Sequence, residues 1–434
     1  MANPTFQDNV SELNVLMKTV YGPAIEEQQN LTPMAYKRFK RATVNFGGNA
    51  YEFPCRMGSP QSIGMRGYRS PLPTPKATLD VTGRVRHKFF YATGDITGPD
   101  IAKGKGNVNA FTNVQTDKMD ALTRIALKDL NFQFYLAGDG VYARITSLPA
   151  SVSSVGVDTI KYLRVNRRLD IWSNAGSNLG EAASQFNRAI LALSVPAGVP
   201  TVQYKNDVTG AALPRDGTGG TSYTQAIGDM LIPETALPAG STAVGMFMNG
   251  LKAIVDDGTT ATTFQDISRT TYPLWKAKVL SNAGSPRPLT LPLMQIADDI
   301  PEIMCGERVN LLIGSLNARN LYTQLLVSQK RFVNTGKMDG GYEVLDFNGK
   351  TFLVDVDCQD DRIYYLNSDY IQHYGLMELK FDDSDGAILK HQGLPFGDVY
   401  YFYMKTYANF GSNRCNAHSV ITDLEVDQNY LIAA

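Results

Sequence analysis

A chain of 434 residues with 43% hydrophobic content can bury a sizeable core, and the length suggests two or three domains. No stretch approaches 18 consecutive apolar residues, and Met1-Ala2-Asn3-Pro4 is not a basic patch leading into an apolar run, so neither a membrane span nor a signal peptide is expected. The net charge of −1 is unevenly spread: between Lys37 and Lys88 eleven Lys or Arg face only Glu52 and Asp80, a local +9, leaving −10 for the rest. A basic run paired with an acidic remainder can serve nucleic acid or a second copy of the same chain. The near-neutral total and the lack of a recognition helix in the run disfavour a sequence-specific DNA-binding protein.

Residues 1–42 read as an arm with one short helix, for which Asp8 is the N-cap, Val10, Leu13, Leu16, Met17 and Val20 form a stripe, and Gly22-Pro23 is the stop. The polar run Glu26-Glu27-Gln28-Gln29-Asn30 offers no core, so the arm needs a partner surface. From Thr43 to Thr97 the period is two. Val44, Phe46, Ala50, Tyr51, Phe53 and Cys55 lead outward, and Leu79, Val81, Val85, His87, Phe89 and Tyr91 return. The tip between them, Met57 to Lys76, is rich in Gly, Ser, Pro and Arg. A two-stranded ribbon is marginally stable alone, so it lies either on its own domain or on a partner.

Val108 to Leu136 carries the longest helical pattern. Met119, Leu122, Ala126, Leu130 and Phe134 recur at steps of three or four, Asp117, Lys118, Asp120, Arg124 and Lys128 fill the opposite side, and Gly138 and Gly140 end it. Such a helix reads as a strut; the alternative is an ordinary core helix of a large enzyme, and the flanking sequence has to decide between them. Residues 141–249 read as β-rich (Val141 to Ile145, Tyr162 to Val165, Ala189 to Val195), with a Gly/Pro/Thr-rich insertion over 196–240. Further on come a strand at Val309 to Ile313, a helix at Leu316 to Lys330, a hairpin about Asn348-Gly349, and strands at Arg362 to Leu366, Tyr370 to Tyr374, Val399 to Tyr407 and His418 to Leu424. Together these make the chain α+β.

No Walker loop, HExxH or GxSxG is present, and Gly104-Lys105-Gly106 lacks a third glycine. His87, His373, His391 and His418 are isolated, and Cys55, Cys305, Cys358 and Cys415 have no CxxC spacing and read as free packing thiols. Phe381 and Gln392 occupy the first and twelfth positions of what would be a calcium loop, which fails. Asp256-Asp257 and Asp298-Asp299 are adjacent in sequence, a poor placement for a glycosidase's acid and base. No catalytic residue, cofactor site or metal site is assigned.

The order of parts resembles the major capsid proteins of tailed bacteriophages, the Hong Kong 97-like phage capsid fold. The local likeness lies in Gly250 to Gly258, Ile267 to Trp275, Asn310 to Lys330, Asp346 to Gly349, Val354 to Cys358 and Tyr407 to His418. The resemblance implies an N-terminal arm (1–42), an extended β-hairpin loop (43–100) and a spine helix of the peripheral domain (101–140). It further implies a β-rich region with an insertion (141–249), an axial domain core (250–375) and C-terminal strands returning to the peripheral domain (376–434). It also implies pentamers and hexamers in an icosahedral shell around double-stranded DNA, in a virion built in the bacterial host cytoplasm. A separate scaffolding protein, a portal, a decoration protein and nonspecific contact with the packaged DNA are expected, with no membrane and no cofactor. An encapsulin-type cellular compartment is the alternative of the same fold. Inter-subunit contacts are expected to join the ribbon's Arg56, Arg66, Arg69, Lys76, Arg84, Arg86 and Lys88 to Asp355, Asp357, Asp360, Asp361, Asp382, Asp383 and Asp385 of a neighbour.

Overall fold

The computed structural model describes residues 35–36, 38–39, 50–59, 62–99, 114–148, 154–174, 188–195, 199–206, 226–234, 245–328, 336–337, 343–384, 386–391 and 398–430. The expected arm helix at Asp8 to Val20, the first turns of the long helix, most of the 196–240 insertion and Asp385 lie outside them. Two compact units form. One takes residues 1–32, 92–125 and 381–404; the other takes 33–91, 126–380 and 405–434.

In the larger unit, β1 (Ala50–Gly58) pairs antiparallel with β2 (Leu79–Arg86), from Ala50 opposite Arg86 to Gly58 opposite Leu79. The expected return strand is broken at His87: β3 (Lys88–Thr97) leaves β1 and pairs with a late strand instead. At the break, Asn409 donates its side-chain amide to the Arg86 carbonyl at 2.8 Å.

Helix α1 (Val114–Tyr135) contributes its first half to the smaller unit and its second half to the larger. The expected apolar stripe holds at Ala126, Leu130 and Phe134, each at most 2% exposed. The opposite side does not stay in solvent along its length, because Lys128, Asn131 and Gln133 are also buried. Gly138 and Gly140 follow with φ of 80° and 70°, the left-handed geometry that ends a helix. A Cβ on Gly250 would collide with the carbonyls of Gln133, Phe134 and Leu136, so glycine there lets the chain close over the helix end.

Strands β4 (Ala143–Ser147), β5 (Ser154–Val157), β6 (Leu169–Trp172), β7 (Arg188–Ser194), β8 (Thr201–Asn206) and β9 (Met230–Pro233) form an antiparallel sheet in the order β6-β9-β4-β5-β8-β7. The expected strand at Tyr162 to Val165 is instead a turn whose Tyr162 and Leu163 plug this sheet's core. The strand is β6, buried at all four positions and so without visible alternation.

A short helix α2 (Leu251–Ile254) and the two-residue strands β10 (Thr263–Phe264) and β11 (Ile267–Ser268) lead to a mixed sheet. Its strands are β12 (Lys278–Leu280), β13 (Leu311–Gly314), β14 (Gly336–Lys337), β15 (Glu343–Phe347), β16 (Lys350–Val354), β17 (Ile363–Leu366) and β21 (Ser419–Ile421), ordered β12-β21-β17-β13-β16-β15-β14. The β15–β16 turn has φ of 51° at Asn348 and 73° at Gly349, as a two-residue hairpin requires. Helix α3 (Leu291–Cys305) and helix α4 (Leu316–Ser328) pack on this sheet through Met294, Ala297, Ala318 and Tyr322. Sequence periodicity does not assign α3, since Pro292 and Pro301 obscure it; Thr290 caps its start and Gly306, at φ 73°, closes it.

Strands β18 (Ile371–Phe381), β19 (Lys390–His391) and β20 (Val399–Ser412) form the last sheet, with β20 central and also pairing β3. In the smaller unit Lys118 donates to the Asp95 carbonyl at 3.1 Å, and Phe381 lies 6.1 Å from Phe402 between ring centroids. All four cysteines are free thiols.

Candidate assembly interface

The ribbon divides into a buried base and a bare tip. At the base, Phe53, Cys55 and Val85 are 5%, 8% and 1% exposed and join the central core. Phe53 packs on Trp275, centroids 6.1 Å apart, and Tyr51 stacks on Tyr374 at 5.1 Å. Burial pushes the Cys55 thiol up to about 11, as expected of a packing residue rather than a reactive one. Beyond the base, no described side chain between Ser59 and Asp80 is buried. Ile63, Met65, Tyr68 and Leu72 are 94%, 104%, 94% and 86% exposed. Burying one such side chain is worth about 1.5–3 kcal/mol, and the single chain leaves all four in water.

The basic residues divide in the same way. Arg56 binds Asp80 at 2.9 Å, Arg84 binds Glu52 at 2.7 Å and Arg86 binds Asp266 at 2.7 Å, all partly solvent-exposed. Lys88 donates to the Gly245 carbonyl. Arg66, Arg69 and Lys76 have no acidic partner among the described residues, and no Asp or Glu lies between Met57 and Leu79. Arg69 sits 5.6 Å from the Tyr68 ring. The tip is therefore a cationic, apolar and uncovered segment.

The acidic residues are mostly engaged within their own chain. Asp355 is 1% exposed and accepts from the Ala35 amide at 3.0 Å, Asn131 at 3.2 Å, Tyr135 at 2.9 Å and the Asp357 amide at 2.9 Å. Asp357, 2% exposed, pairs with Lys128 at 2.8 Å and accepts from Asn131 at 2.5 Å. Burial, then the charge of Asp355, pushes the Asp357 carboxyl above its ordinary value against the pull of Lys128. This hub ties α1 and the Ala35–Tyr36 segment to the turn after β16; the Tyr36 backbone N–H donates to Asn131 Oδ1 at 2.9 Å. Lys161 holds Asp360 at 2.6 Å, and Arg362 grips both oxygens of Asp361 at 2.9 and 2.8 Å. Asp382, 2% exposed, is held by Lys390 and Tyr403, each at 2.5 Å.

Asp355, Asp357 and Asp382 are thus filled by internal donors and leave no acidic surface for a neighbour. Of the seven acids expected to face the ribbon, Asp383 alone is exposed among those described, while Asp360 and Asp361 are half-buried. The ribbon's internal partners Glu52, Asp80 and Asp266 were not expected as such. Glu52 and Asp80 sit opposite Arg84 and Arg56 in the hairpin register, a signal readable once the turn is placed; Asp266 is set by tertiary packing. Lys128, Asn131 and Tyr135 share a helix face at steps of three and four, a polar stripe whose partner only the fold reveals.

No protein-family model and no curated protein matches the chain. Solved structures do. The capsid asymmetric unit of cyanophage A-1(L) superposes with a TM-score of 0.59 at 13% identity, covering 94% of this chain and 98% of that one. The capsid of the native GTA particle superposes at 0.51 with 7% identity, covering 96% and 98%. The chain has a capsid-subunit fold. In both of these structures nearly the whole chain is matched on both sides, so the likeness takes in the whole architecture rather than a shared sheet.

No helix among the described residues is long and apolar enough to cross a membrane.

Proposed function

We propose that the chain is the major capsid protein of a tailed bacteriophage, with the Hong Kong 97-like arrangement of arm, ribbon, spine helix, peripheral domain and axial domain. It assembles as pentamers and hexamers into an icosahedral shell around double-stranded DNA, inside the host cytoplasm, and remains in the virion. One observation carries this reading: a capsid-subunit fold matched along its length holds out a ribbon tip with four apolar side chains in water and no core of its own. A tip repeated by symmetry needs only weak contacts, because each is formed many times over the shell. The role is architectural and asks for no catalysis or cofactor.

A separate scaffolding protein, a portal and a decoration protein would complete the particle, and contact with the packaged DNA would be nonspecific and weakened by salt. Inter-subunit contact is assigned first to Arg66, Arg69 and Lys76, the ribbon cations left without acidic partners among the described residues, with Asp383 as the exposed acid among those described. The test is electron microscopy of the chain produced with its scaffold. Closed shells with five- and six-fold capsomers are expected. Monomers under those conditions would overturn the reading, and shells that take up a cargo enzyme instead of DNA would favour the encapsulin alternative.

A further inference from the structure

The hairpin of β10 and β11 turns on Gln265-Asp266, with φ of 54° and 62°. A two-residue hairpin needs positive φ at both central positions, and the Asn348-Gly349 turn of the same chain meets that need with residues that tolerate it well. Gln265 has neither the freedom of glycine nor the short polar side chain of asparagine, so its left-handed backbone is strained. Such strain persists only where the surrounding contacts over-determine it.

The contacts that hold Gln265 reach two other elements. Its backbone carbonyl accepts from the Arg84 amide of β2 at 2.9 Å. Its carboxamide, buried in a residue only 7% exposed, meets both backbone groups of Ser412 at the end of β20. Nε2 donates to the Ser412 carbonyl at 2.7 Å, and Oε1 accepts from the Ser412 amide at 3.2 Å. A Cβ on Gly411 would run into this carboxamide, the Tyr374 ring and Val85 of β2, so glycine there makes the slot. Behind the turn the hairpin is firmly seated. Phe264 and Ile267 are buried, Trp275 donates its indole N–H to the Phe264 carbonyl at 3.1 Å, and Phe53 of β1 packs on that indole.

We propose that Gln265 is a positioning residue that pins the base of the ribbon to the end of β20, and that the strained turn biases this pin toward release. Held, the carboxamide and the carbonyl fix the direction in which β2 leaves the body. Released, the turn can abandon its left-handed backbone at the cost of a ladder only two residues long, and the strain removed offsets part of the hydrogen bonding lost. A second orientation of the ribbon base is then within reach of a modest differential binding energy. What that direction serves rests on the shell reading above, whereas the pin is a property of the single chain.

The experiment is amide hydrogen exchange on the free subunit, comparing Gln265→Ala and Gln265→Asn with the unaltered chain. Both variants lose the reach to Ser412, but asparagine takes left-handed backbone at lower cost than alanine. Gln265→Ala is expected to speed exchange over residues 84–86 by about tenfold while leaving the strands β13, β16 and β17 unchanged, and Gln265→Asn to fall between it and the unaltered chain. Unchanged exchange at the ribbon base, or an equal rise in β13, β16 and β17, would overturn the pin. Equal exchange in the two variants would overturn the bias toward release. No shell takes part in these measurements, so a failed pin leaves the shell reading standing, and a failure to form shells leaves the pin standing.

Discussion

Lys128 Nζ lies 2.8 Å from Asp357, and both side chains are only 3% exposed. The pair fixes the second half of α1 to the turn after β16, where Asp355 also receives the chain at Ala35. A buried ion pair costs both partners their hydration, so its loss is felt mainly through the charge left behind. Lys128→Met is expected to destabilise the unassembled subunit by about 3–5 kcal/mol, and adding Asp357→Asn to restore part of that. Denaturant unfolding of the two singles and the double gives the cycle; additive losses would contradict the pairing.

His418 is fully buried, and burial lowers its pKa to about 3. Its Nδ1 accepts from the Asn367 amide at 3.2 Å, and Nε2 lies 3.2 Å from the Ser412 hydroxyl. Unfolded, the imidazole takes up a proton near pH 6.5, while in the folded chain it stays neutral. Its contribution is therefore complete above pH 6.5 and is lost as pH falls from 6.5 towards 3, by about 1.4 kcal/mol per pH unit. Subunit stability measured from pH 7 to pH 4.5 is expected to show this slope, and His418→Asn to reduce it. An unchanged slope in the variant would contradict the assignment.

The two parts of the ribbon are expected to respond oppositely. Phe53→Ala removes a ring packed on Trp275 and is expected to cost the subunit about 3–5 kcal/mol. Ile63→Ser and Met65→Ser change side chains that touch solvent and are expected to alter subunit stability by no more than about 0.5 kcal/mol while lowering shell yield. Denaturant midpoints of the free subunit, set beside sedimentation of assembly reactions, separate the two effects.

Charge reversal divides the ribbon again. Arg84→Glu and Arg86→Glu break exposed pairs with Glu52 and Asp266 and are expected to cost the subunit about 1 kcal/mol each at most. Arg66→Glu, Arg69→Glu and Lys76→Glu break no ion pair among the described residues, so the melting temperature holds and assembly fails at low salt. Assembly of the tip variant at the normal rate would remove the tip's charge from the account.

The ribbon, the second half of α1, the Asn348-Gly349 hairpin and most late strands are legible in the sequence because their periods and turn residues are local signals. Strand β6 and helix α3 are not, since one is buried at every position and the other contains prolines that its tertiary packing accommodates. Charge is the least legible feature. The basic run is plain, but whether Asp355 faces a neighbour or the Ala35 amide depends on residues 320 positions apart. Exposure of the tip follows from composition, whereas the ring contact of Phe89 with Tyr407 does not, because the two meet only through strand pairing.

The ribbon tip stands bare in the single chain, and assembly into a shell is expected to cover it. Amide hydrogen exchange over residues 62–78 in free subunits and in closed shells tests this most directly. Rapid exchange in the free subunit and slowed exchange in the shell is the predicted result. Equal exchange in both states would contradict the account.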